Sequence, residues 1–415
     1  MDVKPALANW LNPNIDLNVK RAELTGTSNS KPLSLVNICI HSVPGISFFC
    51  TNTIGVKLSQ LVNLIAVGLL FVRAAKTVKD IIEVVVIQGE NILLERTNRM
   101  LTSLAKSISN MVVLYTCITL NLPSFLHSMD LIWFHLPFIN QATFISTQRF
   151  HLWLGFILYG LFNAVDLIFR ITVKVMYPTF SVYPDMLIFN ISNYTIIQVC
   201  LCKICLICFI QVITIFVSTG FKEIAKQLED VNFEPSDKGM PKLSPFFIYH
   251  GTAWLANHRK SFELLNEMVN LTNKKFHLFI YSAIICIIPA SITIIYDIIF
   301  AEMELKIYHV IDITFNIIFI EILIYYLSLF NLHSHRIWLA LYRLTLISKN
   351  EMTTLEATLF MNRISNLPVG VQLSDKFVIT LGVGPSLVAV IITVFVSITS
   401  LNQVFLNNAN ATNNN

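Results

Sequence analysis

Ionisable side chains interrupt otherwise apolar stretches of this chain, among them Asp166, Arg170, Lys203, Asp297, Asp312 and Glu321. A charge inside a membrane segment is costly, so such groups face protein or water and mark function or bracing. Asp166 and Arg170 stand four apart, a spacing that lets them pair on a helix. Asp166 and Asp312, with Tyr159 and Tyr296 nearby, could line a pocket for a small polar or cationic ligand. The same charges could instead brace helices, as Lys203 would with Glu321. A second set is milder. Ser386, Thr393, Ser397 and Ser400 recur at about 3.5 residues, and Ala389 fills the gap, so one small, weakly polar stripe runs along a greasy helix. It could pack closely, each hydroxyl bonded back to a carbonyl one turn earlier. It could equally line a water-filled path where several copies meet.

Other chemistry is poorly supported. Cys200, Cys202, Cys205 and Cys208 crowd one apolar segment, but 202, 205 and 208 drift around a helix with no histidine or carboxylate beside them. They read as small packing residues rather than a metal site. His333 and His335 are two apart and do not share a helix face. The eight cysteines show no disulfide framework. No enzyme, cofactor or metal site is implied, and a formal net charge of +4 points to no nucleic-acid partner.

The elements that position these residues are membrane spans. Hydrophobic residues make up 54% of the 415 and charged ones 13%, about half the globular norm of roughly 25%. No polar stretch is long enough for a soluble domain. Residues 1–31 have no apolar core, so the first span is expected to do the targeting. A bilayer core needs about 20 apolar residues per helix, which gives spans at 58–78, 103–122, 149–176, 185–219, 276–300, 307–330 and 379–403. Segment 131–145, with Pro137, reads as an interfacial piece. Trp133, Trp153 and Trp338 fall near predicted interfaces, where tryptophan anchors.

Orientation follows from loop charge. Nineteen of the 29 lysines and arginines fall on the side of the N-terminus against eight on the other, with Lys106 and Lys203 inside spans. The expected fold is all-α, with seven membrane helices, a cytoplasmic N-terminal segment 1–57 and an extracellular tail 404–415. Glycosylation acceptors at Asn190, Asn193 and Asn410 fall on the outer side, and the one at Asn270 falls on the inner side. Between spans, the extensions 219–275 and 331–378 carry apolar residues at helical spacing: Phe221, Ile224, Leu228 and Val231; Trp254, Leu255, Phe262, Leu265, Met268 and Val269; Ile337, Trp338, Leu341 and Leu344; Leu355, Leu359 and Phe360. Such faces bundle beneath the membrane, within or between subunits, or lie flat on the inner leaflet.

The last fifty residues run from an amphipathic helix through a link, Val369 to Thr380, into a final span opening with Gly382, Gly384 and Pro385. This order resembles the C-terminus of the insect gustatory and odorant receptor superfamily, which includes nematode gustatory-receptor homologues. In that family the pore helix ends in Thr-Tyr, five apolar residues and Gln-Phe. Here the stretch runs Thr393-Val394-Phe395-Val396-Ser397-Ile398-Thr399-Ser400-Leu401: Thr393 matches, while Val394, Ser400 and Leu401 replace the tyrosine, glutamine and phenylalanine. The stretch Leu35 to Phe49, with Pro44-Gly45, is also similar. The resemblance implies a chemosensory receptor in the plasma membrane, a homo- or hetero-tetrameric, ligand-gated, non-selective cation channel. Its pore would be lined by the last helix, its stimulus bound among the outer halves of spans two to six, and its subunits joined by the cytoplasmic helices.

A seven-helix G-protein-coupled chemoreceptor is the alternative. Against it, span three ends in Phe169-Arg170-Ile171 rather than an acidic-Arg-aromatic triplet, and the last span lacks Asn-Pro-x-x-Tyr. A transporter or membrane enzyme would need internal repeats with broken helices, or clustered histidines and carboxylates, and neither is found.

Overall fold

Three helices far longer than a bilayer is thick organise the chain. In the computed structural model the described residues are 53–83, 95–136, 186–234, 242–300 and 303–400, a few positions within these apart, plus Ile157, Leu161, Ala164 and Ile168. All belong to the unit Ser34–Asn415. The helices are α1 (Thr53–Ile82), α2 (Glu95–Thr119), α3 (Leu122–Trp133), α4 (Met186–Glu229), α5 (Pro245–Phe300), α6 (Met303–Ile347) and α7 (Glu351–Asn366), with α8 (Val383–Val394) last. Two short antiparallel pairs interrupt them: β1 (Phe233–Glu234) with β2 (Lys242–Leu243), and β3 (Gln372–Ser374) with β4 (Phe377–Val378).

At 44, 56 and 45 residues, α4, α5 and α6 are continuous where the sequence suggested a span joined to a separate amphipathic helix. At 1.5 Å per residue each reaches about 65–85 Å, roughly twice the apolar thickness of a bilayer. No proline or glycine pair breaks the junctions, so the helical hydrogen bonding carries through.

Their environment changes along their length. In α4, Leu206, Ile207, Phe209, Ile210, Val212, Ile213, Phe216 and Val217 are all buried. A helix apolar all round belongs at the centre of the bundle. By contrast α1 packs chiefly on α2 and leaves Leu61, Leu64, Ile65, Phe71 and Val72 exposed, the surface lipid would cover. Gln60–Ile82 of α1 and Cys205–Glu229 of α4 are each long and apolar enough to cross a membrane, and Ser103–Thr119 and Ser124–Ile132 would do so together across a 69° bend. The second expected span, 103–122, thus ends at a bend. Ile157, Leu161, Ala164 and Ile168 fall on one exposed helical stripe.

Two phenylalanine clusters tie the long helices together. Phe125, Phe209 and Phe276 meet at centroid distances of 5.8–5.9 Å, joining α3, α4 and α5. Further along, Phe221, Phe262 and Phe360 meet at 5.5 and 5.4 Å, joining α4, α5 and α7. Around the second cluster Ile224, Leu228, Leu255, Leu265, Met268, Ile337, Leu341 and Leu344 are buried. The amphipathic faces of the extensions therefore close on one another. The exception is α7. Its buried residues are Thr353, Ala357 and Phe360, whereas Leu355 and Leu359, expected on the same face, are 54% and 45% exposed. His258, buried beside this core, bonds the Trp254 carbonyl and Gln227, both at 2.8 Å, and burial holds its pKa below the ordinary histidine value.

Truncating a fully buried phenylalanine costs about 3–5 kcal/mol. Phe262→Ala should therefore lower the melting temperature of the detergent-solubilised protein substantially. Lys226→Ala, at an exposed position of α4, should leave it within experimental scatter.

Candidate pore helix and its anchor

The stripe on the last helix is held in place by what precedes it. From α7 into the link, the chain runs alongside α5 in the same direction, and partner numbers rise together. Thr252 meets Thr353 at 3.4 Å, Arg259 Nε pairs with Glu356 at 2.9 Å, and Phe262 meets Phe360. Glu263 then pairs with Arg363 at 3.5 Å, Asn273 Nδ2 donates to the Gly370 carbonyl at 3.0 Å, and His277 Nε2 bonds the Leu373 carbonyl at 3.3 Å. Part-exposed ion pairs of this kind add little stability, about 0–1 kcal/mol each, but they fix register. From the other side Asn331 Nδ2 of α6 donates to the Val369 carbonyl at 3.3 Å.

The link itself is a β-hairpin. Gln372 pairs with Val378 and Ser374 with Phe377 across an irregular register, and the Ile379 amide donates to the Val371 carbonyl at 2.8 Å. Gly370 adopts φ of +151°, and a Cβ there would sit 2.5 Å from Val378 Cγ1. Only glycine meets both conditions. Val369, Val371 and Ile379 are buried around it.

From this anchor α8 departs. Its inner face carries Val383, Gly384 and Ile391, all buried, and Gly384 lies directly on the Glu321 carboxylate of α6, which would have to shift to admit a side chain. Glu321 thus backs the first turn of α8. Among the described contacts, none pairs Glu321 with Lys203. On the outer face Ser386, Ala389, Thr393, Ser397 and Ser400 are all exposed. Each hydroxyl donates to the carbonyl four residues back, at 2.8 Å in all four cases. Those bonds satisfy the hydroxyl protons but leave oxygen lone pairs outward. The four residues share one face, and no part of the described chain covers it.

The charged pocket is less defined. Asp166 and Tyr159 lie outside the described residues, as does Arg170. Tyr296 and Asp312 sit on α5 and α6, and their side chains, like that of Asp297, are also outside the description. A different polar cluster, not anticipated from sequence, lies between α1 and α4. Gln198 Nε2 donates to Asn63 Oδ1 at 2.6 Å, and the Cys202 thiol to the same oxygen at 3.5 Å. Cys202 is therefore a polar partner as well as a small packing residue. Trp338, expected at an interface, stacks between His335 and Tyr342 at 6.0 and 5.5 Å.

This arrangement, long helices extending past an apolar bundle and a hairpin-anchored last helix, is the fold of an insect olfactory receptor. The structure matches the olfactory receptor OR5 of Machilis hrabei solved in complex with eugenol, with a TM-score of 0.63 and 11% identity, covering 96% of this chain and 100% of that one. It matches another structure of the same receptor at 0.60 and 12%, covering 96% and 99%. No protein-family model and no curated protein matches the sequence. The resemblance drawn from the last fifty residues is thus borne out in the fold.

Gly370→Ala would impose a disfavoured φ and a clash, a cost of about 1–3 kcal/mol. Amide exchange at Ile379, whose N–H bonds Val371, should quicken by tenfold or more while exchange within α4 stays unchanged.

Proposed function

We propose that this chain is a gustatory-receptor-like chemosensory receptor of the plasma membrane, a ligand-gated, non-selective cation channel whose pore is lined by the last helix. The observation that carries this reading is the face of Ser386, Thr393, Ser397 and Ser400, exposed on one side of a helix whose other side is fixed to α6. Four such faces around an axis would enclose a path of hydroxyl oxygens suited to weakly selected cations. The fold supports the same reading, since the receptor it matches was solved with a small odorant bound.

Assembly would use surfaces that one chain leaves open. Leu339, Tyr342 and Leu346 of α6 and Met352, Leu355 and Leu359 of α7 are 40–70% exposed on the extensions, beyond the predicted spans. Patches of this kind mark protein contacts, and four copies meeting through them would bring the stripes together. The stimulus would be a small molecule held among the spans, with Asp166, Tyr159, Tyr296 and Asp312 as its pocket, and an outward C-terminus.

Substituted-cysteine blocking tests the pore directly. Expression should raise whole-cell cation conductance, at rest or under a panel of small odorants and tastants. In Ser397→Cys an external cationic thiol reagent should remove more than half of it. Wild type and Ile391→Cys, on the buried face, should be insensitive. Block at Ile391 but not Ser397, or no conductance from protein shown to be at the surface, would overturn the assignment.

A further inference from the structure

The stripe on α8 is neutral. From Phe377 to Asn415 no side chain can ionise, so the hydroxyls of Ser386, Thr393, Ser397 and Ser400 offer lone pairs but no charge. The start of the helix is unfavourable to a cation, because its aligned peptide dipoles put about half a positive charge there. Four α8 starts around one axis would place about two positive charges at the mouth nearest the link. A path built from α8 alone would repel cations at that mouth.

One carboxylate reverses the sign. Glu321 of α6 lies against Gly384 in the first turn of α8, its Oε1 2.9 Å from where a Cβ on that glycine would stand. The bare Cα of Gly384 lets the carboxylate come this close. Glu321 falls within the predicted sixth span, 307–330, where an ionised group needs protein dipoles or water to face. It has the α8 start on one side, and it is half-buried rather than enclosed. Neither described ion pair involves it. A full negative charge against half a positive one leaves each subunit about half a unit negative at this level.

We infer that Glu321 is the residue that makes the α8 path select cations over anions. The inference rests on the channel reading and adds to it the group that sets the sign of the ion. Glu321 acts from behind the helix. Gly384 and Ser386 lie on opposite faces of α8, so the carboxylate is about 10 Å, one helix diameter, from the hydroxyls. That is too far to coordinate a passing ion. It is close enough, through a low-dielectric wall, to set the potential the ion crosses, and four copies add. The outcome is discrimination by sign of charge with little discrimination among cations, which would need a ring of close ligands.

The test uses the full chain in cells, with the reversal potential read before and after external sodium chloride is diluted with isosmotic mannitol. Wild type and Glu321→Asp should shift to negative potentials, as cation flow requires. Glu321→Gln, nearly isosteric, should lower the cation-to-anion permeability ratio about tenfold and leave the sodium-to-potassium ratio unchanged. Glu321→Cys guards against misfolding, because its charge is altered on channels already assembled, and it decides the matter if the glutamine variant carries no current. In excised patches, an anionic thiol reagent on the cytoplasmic side should return its ratio towards wild type. A cationic reagent should lower it further, and neither should alter the wild-type ratio. An unchanged ratio in Glu321→Gln, or a ratio in Glu321→Cys that ignores the sign of the reagent, would overturn the inference. No current from wild-type protein shown to be at the surface would overturn the channel reading as well, which keeps the two failures apart.

Discussion

The parallel register between α5 and the segment from α7 through the link is the constraint on which the rest depends. It is set by an aromatic contact, Phe262 on Phe360, two ion pairs and two side-chain bonds to link carbonyls. Because the partners rise together in number, the chain approaches α8 travelling in the direction of α5. Two residues separate α5 from α6, so α6 returns, and α8 runs against it with Gly384 on Glu321. The last helix can point only one way. Its outer face is then dictated by which residues the α6 contact consumes.

Burial divides the molecule into two regimes. Within the apolar bundle α4 is enclosed and α1 peripheral, so exposed leucines there need lipid. On the extensions, the core around Phe221, Phe262 and Phe360 is an ordinary hydrophobic one. The exposed leucines of α7 and the Trp338–Tyr342 stack stand out only in this second regime, where no lipid covers them.

Much of this was legible in the sequence because it rests on composition and period. Apolar runs marked the helices, and residues such as Ile224, Leu265 and Leu341 declared a buried face by their spacing. The stripe on α8 was legible for the same reason. Helix continuity was not, because apolar spans and amphipathic extensions have different patterns even when one helix carries both. The hairpin in the link was hidden too, since two strands of three and two residues carry too little alternation to register. Gly370 and Gly384 were visible as glycines but not as contacts: the side chains they lie against, Val378 and Glu321, come from the fold. Leu355 and Leu359 were assigned to the buried face of α7 because periodicity finds an apolar face without saying what covers it. The polar contact of Asn63 with Cys202 joins residues 139 apart, beyond the reach of any local pattern.

The central claim is that an odd number of crossings leaves the last helix ending outside the cell. An epitope placed after Asn415, stained on intact and then on permeabilised cells, tests it most directly. The account predicts labelling of intact cells at a level that permeabilisation raises only by the internal pool. Labelling confined to permeabilised cells, in protein that surface biotinylation shows to have reached the plasma membrane, would contradict it.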